Sequence, residues 1–262
     1  MDKPVLVCTP RTLPQDRLVS AAINALKINP ANRVDPRMVR AVLGPNPQQE
    51  HIAVLIGRRW HTNGVNLTVG FMDNPEPALR ARILSHMNAW GKTANVLFSE
   101  TTTDPQVRIA RANSPDNVAG YWSYLGTEIL EIDADQPTMN LQDFTMDTPD
   151  SEFYRVVRHE TGHTLGFPHE HMRAQLVELI DPKKAIPYFE ATQGWSESEV
   201  RDQVLTPIDE SLLIGTPADA ISIMCYQIPG SLTFSGDPIP GGTDIDDSDY
   251  AFAASIYPKP KS

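Results

Sequence analysis

The chain is poor in cysteine: Cys8 and Cys225 are the two present in 262 residues. At most one disulfide can form, so no disulfide framework holds the fold, and zinc sites built from Cys-x-x-Cys pairs are excluded. Any metal must be held by histidine and carboxylate. Long apolar runs are missing too. None approaches the ~18 residues of a membrane-spanning helix, so membrane insertion is not expected. The apolar stretch in residues 1–8 is too short for the core of a signal peptide. That leaves a cytoplasmic location, or export by a non-standard route or with a leader removed. Cationic side chains are outnumbered, 22 Lys and Arg against 33 Asp and Glu, for a net charge of −11. An acidic surface repels phosphates, which argues against a nucleic acid partner.

What is present is ordinary for a globular protein, with 40% hydrophobic and 21% charged residues, and the length suits one large domain or two small ones. Residues 1–52 are rich in proline and arginine. One short helix is expected there, over 17–26, with Leu18, Ala21, Ala22 and Leu26 on one face. This part reads as an N-terminal extension, either a pro-segment or an arm packed on the domain. After an apolar run over 52–56, residues 67–71 alternate like a strand. Asp73-Asn74-Pro75 then opens a helix whose Leu79, Ile83, Met87 and Trp90 share one face, closed by Gly91. Strands are expected over 96–98, 107–109 and 120–126. A second long helix runs from Thr148-Pro149 to Gly166, a third spans 196–205, and a last one spans 248–257. Strands gather in the first half and helices in the second, the order of an α+β fold.

Four of the seven histidines fall in one stretch, His159-Glu160-Thr161-Gly162-His163-Thr164-Leu165-Gly166-Phe167-Pro168-His169-Glu170-His171. Residues four apart share a helix face, so His159 and His163 can aim two imidazoles at one ion. Glu160 lies about 100° around the helix from His159, flanking the ion rather than ligating it. Gly166 can end the helix at positive φ, after which the chain turns and His169 approaches as a third ligand. Three protein ligands leave an open position for water, as in a catalytic zinc site. Such a zinc-bound water has a pKa of ~7, and Glu160 is placed to take its proton and pass it to a leaving amine.

The spacing His-Glu-x-x-His-x-x-Gly-x-x-His, followed by a Met-turn, is that of the metzincin zinc peptidases. Ser222-Ile223-Met224-Cys225-Tyr226 resembles the Met-turn of their astacin-like branch. The resemblance implies that Met224 forms a hydrophobic base beneath the metal and that Tyr226 is a loose ligand that swings to hydrogen-bond the tetrahedral intermediate. Arg59-Trp60 through Gly64, Ala94-Asn95 through Phe98, Gln136 through Asn140, and Asp246 through Asp249 with Tyr257-Pro258 are similar to the microbial members. Tyr121, Trp122 and Ser123 resemble the edge strand that lies against bound peptide, where a substrate could add as a strand. The chain departs from the animal members in lacking their disulfides, in Cys225 where histidine is common, and in Ala174-Gln175-Leu176 after the third histidine. In those members the counterpart of Glu170 pairs with the N-terminus freed on activation. No cleavage site is evident here, and an internal arginine is the other partner.

The resemblance implies a zinc metalloendopeptidase acting on a peptide or protein substrate with one catalytic Zn²⁺, on a metzincin-type α+β fold with a twisted mixed sheet. Residues 53–258 would form the catalytic domain, with an N-terminal subdomain to about 166 and a C-terminal subdomain carrying the Met-turn and last helix. Residues 259–262 would be a tail. The alternatives are a latent form needing removal of the N-terminal segment, and an inactive zinc-containing module that binds protein. A thiolate from Cys8 could fill the open position on zinc. It carries no supporting ligand spacing, so a lone thiol without a role is expected. His171 is expected at the surface or behind the ligands.

Overall fold

The computed structural model describes Cys8 and residues 11–44, 47–49, 56–111, 120–207 and 218–260. The expected boundary between 52 and 53, and most of the apolar run over 52–56, lie outside the described residues. The chain divides into two compact units. The larger comprises Cys8–Pro168 and Asp249–Ser262, and His169–Ser248 belongs to the other. The last helix, Asp247–Ile256, crosses this division, with Asp249–Ile256 in the larger unit.

In the larger unit five strands form one sheet in the order β2-β1-β3-β5-β4: β1 Val65–Phe71, β2 Val96–Glu100, β3 Val107–Ala110, β4 Tyr121–Ser123 and β5 Met139–Leu141. Four are parallel, and β4 joins antiparallel at one edge, with Trp122 opposite Asn140. Val65, Leu67 and Val69 of β1 are buried, as are Val107 and Ile109 of β3 and all of β5. That density of buried β-branched and apolar residues is what a parallel sheet covered on its faces requires. The mixed sheet and helices make the α+β architecture expected from the sequence.

Before the sheet the described residues include the helices α1 Leu18–Ile28 and α2 Pro36–Leu43. The small side chains Ala21, Ala22 and Ala25 let α1 lie close on the turn Gly126–Glu131. Ser20 and Asn24 donate to the Glu131 carboxylate, and Arg17 pairs with Asp133 at 2.9 Å. Buried Asn29 and Asn32 donate to the carbonyls of Trp60 and Arg59. The N-terminal segment is thus docked through specific bonds.

Helix α3, Pro77–Met87, buries Leu79, Ile83 and Met87 and packs on β2. It starts two residues later than Pro75 suggests, because Asn74 turns left-handed at φ 46° and Pro77 takes the first helical position. The second long helix is not uniform. One turn, Asp150–Glu152, widens over Phe153–Val157 and tightens into α4, Arg158–Thr164. Wide turns of this kind concentrate at functional sites. The expected strand over 120–126 stops at Ser123, since Gly126 at φ 52° turns the chain away.

The described residues of the unit His169–Ser248 carry helices and turns and none of the five strands. Helix α5, Pro182–Gln193, is capped by Asp181 and closed by Gly194 at φ 71°. Residues 197–205 form the expected helix, started by a Ser196–Glu199 capping box. The last helix, α6 Asp247–Ile256, returns the chain to the larger unit. Among the described residues no helix is long and apolar enough to cross a membrane.

Candidate metal centre

Helix α4 presents His159 and His163 one turn apart, with exposures of 7% and 3%. Their Nε2 atoms face each other at 3.1 Å. Two nitrogens ~2.0 Å from one tetrahedral ion would stand about 3.3 Å apart, so this pair is set at the spacing a zinc ion needs. Nδ1 of His163 lies 2.8 Å from the carbonyl of Phe167, which fixes Nδ1 as the protonated nitrogen and makes Nε2 the unprotonated one a metal would take. Burial pushes the His163 pKa down to about 4, keeping the ring neutral, as a ligand must be.

The end of α4 is held from three directions. Its last carbonyls have no partner within the helix. The indole of Trp60 donates to Thr164 O at 2.8 Å, and the phenol of Tyr257 donates to Leu165 O at 2.6 Å. Gly166, at φ 93°, then turns the chain, and a Cβ on it would sit 3.1 Å from Arg58 O. Gly126 meets the same carbonyl, where a Cβ would fall at 1.9 Å. The guanidinium of Arg58 forms a buried pair with Glu128 at 2.8 Å. Sequence reasoning assigned Gly166 the end of the helix and missed its packing on Arg58.

Glu160 is 1% exposed, and burial pushes its carboxyl up to about 8. Its partner is unexpected. Cys8 is 5% exposed and donates from Sγ to Glu160 Oε2 at 3.3 Å. Burial, then the Glu160 charge, raise the Cys8 thiol well above its ordinary range, so it is a neutral donor here. Cys8, His159 and His163 each offer one ligand atom within 4.8 Å of the others. Cys8, expected from sequence to be a lone thiol, thus lies within a group of donors that could hold a metal. Its backbone forms a parallel bridge with Tyr121, on the open edge of β4. No sequence spacing announced this, since 152 residues separate Cys8 from Glu160.

The edge-strand residues divide. Trp122 is fully buried beneath the guanidinium of Arg11, and Ser123 is buried against Thr164 Oγ1 at 3.0 Å. Tyr121 is half-buried and packs edge-on to Phe144.

In the unit His169–Ser248, His169 is 3% exposed and Met224 4%. The Met-turn is closed by bonds from Cys225 N to Ser222 O and from Met224 N to Ser222 Oγ. Gly242 packs so closely behind it that a Cβ would fall 2.3 Å from Ile223 Cα, a contact that Pro240-Gly241-Gly242 could have signalled. Glu170 N donates to Met224 O at 2.9 Å. The Glu170 carboxylate accepts from Asp219 N at 3.1 Å and from Arg173 at 3.4 Å, so an internal arginine is among its partners. Of the two positions expected for His171, at the surface or behind the ligands, the surface is excluded: it is fully buried, stacked on Tyr226.

The family model for Astacin, a peptidase family, matches residues 54–237. The chain belongs to the astacin family. It is 32% identical over 102 residues to the zinc metalloproteinase nas-27 of Caenorhabditis elegans, a match spanning 38% of this chain and 21% of that one. The chain thus aligns with about a fifth of that relative's length. Among solved structures it resembles myroilysin in two forms. One is 30% identical with a TM-score of 0.71, covering 78% of this chain and 97% of that one. The other is 27% identical with a TM-score of 0.58, covering 98% and 99%. The hatching enzyme HCE-1 of Oryzias latipes, 18% identical with a TM-score of 0.52 over 79% of this chain and 96% of that one, shares the fold. For this astacin the metzincin fold follows, and the cofactor is one catalytic zinc ion, which the facing Nε2 pair fits.

Proposed function

We propose that this astacin is a zinc metalloendopeptidase that hydrolyses internal peptide bonds, with His159, His163 and His169 holding the ion. When bound, zinc would supply Lewis acidity and lower the pKa of a coordinated water to ~7. The protein's part is positioning and proton transfer. Glu160 takes a proton from the attacking water and delivers it to the leaving nitrogen, so that one water and one amide give a carboxylic acid and an amine, which then exchange a proton to become carboxylate and ammonium. Tyr226 donates its phenol to the oxyanion of the tetrahedral intermediate, and Met224 packs beneath the site. The outer edge of β4 at Tyr121, Trp122 and Ser123 offers backbone groups to an extended peptide. The observation that carries this reading is the pair of facing imidazole nitrogens 3.1 Å apart, with a buried carboxylate on the residue after His159. The experiment compares cleavage of an unfolded protein by wild type and Glu160→Gln at equal zinc content. Loss of most activity in the variant supports the reading. Equal activity overturns it.

A second reading concerns the whole chain and rests on Cys8. Its sulfur supplies a further donor beside His159 and His163, and its backbone sits on the strand edge a peptide would use. Four protein donors leave no place for water. The full chain is on this reading latent, and removal of the N-terminal segment frees both the metal's open position and the β4 edge. A chain trimmed of that segment should cleave faster than the full chain at equal zinc. Equal rates count against latency and leave the peptidase reading standing.

A further inference from the structure

His171 follows two residues after the third histidine of the motif and has no assigned part in the reaction. It is fully buried, with its ring centroid 3.8 Å from that of Tyr226 and the planes 17° apart, a near-parallel stack. His169 meets the same phenol ring at 4.4 Å, tilted 58°. The imidazole is held in turn, with Nε2 2.9 Å from the carbonyl of Gln203, at the end of the helix opened by the Ser196 capping box. The backbones carrying the two rings are tied as well, since Glu170 N donates to Met224 O at 2.9 Å, one residue before His171 and two before Tyr226.

We infer that His171 is a positioning residue for Tyr226: its ring is a flat guide that fixes the plane in which the phenol reaches the reacting carbonyl. The inference rests on the role given to Tyr226 under the proposed function. A phenol hydroxyl useful to an oxyanion must arrive in a narrow range of positions. A flat stack restrains tilt while allowing the ring to slide in its own plane. The Gln203 bond fixes the imidazole edge and leaves its face to Tyr226. Buried histidine next to a metal ligand has another plausible part, as a hydrogen-bonded strut between the motif and residue 203, and the two parts separate by chemistry. The ring does the guiding, and the Nε2–H does the bracing.

The test uses full-length protein, trimmed if the full chain is latent, with zinc content and thermal midpoint measured for every variant. His171→Phe keeps a ring and loses the bond to Gln203. His171→Gln keeps a donor and loses the ring. The expected result is that His171→Gln lowers kcat by about tenfold with KM and zinc content unchanged, while His171→Phe stays within about threefold of wild type, the scale of one aromatic pair. The reverse pattern assigns the bracing role and overturns the inference. The same substitutions are made on Tyr226→Phe, which lacks the hydroxyl. There His171→Gln should cost less than about twofold, because nothing remains to be guided. If the two losses multiply, His171 acts independently of Tyr226 and the inference fails alone. If Tyr226→Phe by itself leaves kcat unchanged, the role of Tyr226 fails and takes the inference with it, while the Glu160 experiment is unaffected.

Discussion

The sulfur of Cys8 lies 3.3 Å from Oε2 of Glu160, so the residue read as the general base has a thiol from the N-terminal segment as its partner. If that thiol holds the full chain inactive, replacing it shifts the population toward an open site. Cys8→Ser, which donates weakly to zinc, should raise peptide cleavage by the full chain roughly tenfold at equal zinc content, in proportion to the competent fraction. Initial rates on an unfolded protein measure this. An unchanged rate removes Cys8 from any regulatory role.

Removing the metal should cost stability as well as activity. His159 and His163 face each other at 3.1 Å in a buried space, where an ion would bind both nitrogens. An ion present at 1,000 times its Kd adds about 4 kcal/mol to the folded state. Treatment with a chelator should therefore lower the thermal midpoint, and zinc should restore it. His163→Ala should abolish the zinc-dependent shift.

Two glycines at positive φ separate strain from crowding. Gly194 has φ 71° and open space where a Cβ would go, whereas Gly126 has φ 52° and Arg58 O at 1.9 Å from that position. Gly194→Ala should cost about 1 kcal/mol, the penalty of a left-handed alanine. Gly126→Ala must also push the segment bearing Arg58 off α4, at about 3 kcal/mol or more. Urea unfolding of the two variants compares them directly, and equal losses would contradict the close approach.

The buried pair Arg58–Glu128 predicts a pH signature. Burial raises the Glu128 carboxyl above its ordinary value, with Arg58 opposing. A raised acid is held protonated more tightly by the folded than by the unfolded state. Its contribution is therefore full below the unfolded value and is lost as pH rises through the folded one. Arg58→Met removes the opposing charge, leaves a buried carboxylate, and should cost about 3–5 kcal/mol at neutral pH. The loss should shrink toward pH 4. Glu128→Gln in the same background should recover most of it, which thermal melts across pH will check.

The helix under the metal was legible because its message is local. His159 and His163 are four apart, and the turn at Gly166 follows from one residue's freedom to take φ 93°. Strands β1, β2 and β3 were legible for the same reason, through alternation or a short apolar run. Strand β5 was not expected, although Gln136 through Asn140 was matched by resemblance, since three buried residues carry no period. Helix α5 was missed although Asp181-Pro182 and Gly194 mark its ends. Its interior mixes polar residues with Pro187, which hides the apolar face.

By itself, then, the sequence singled out the residues proposed to hold and serve a zinc ion, because ligand spacing on a helix and the Met-turn motif are short-range patterns. Tertiary structure alone decided what surrounds them. It set Cys8 against Glu160, Arg58 O between Gly126 and Gly166, Gly242 behind Ile223, and His171 flat on Tyr226. Each of these joins segments far apart in the chain or in different turns. Such contacts are chosen by how buried surfaces fill space and by where buried polar groups find partners, and neither is written in the periodicity of any one segment.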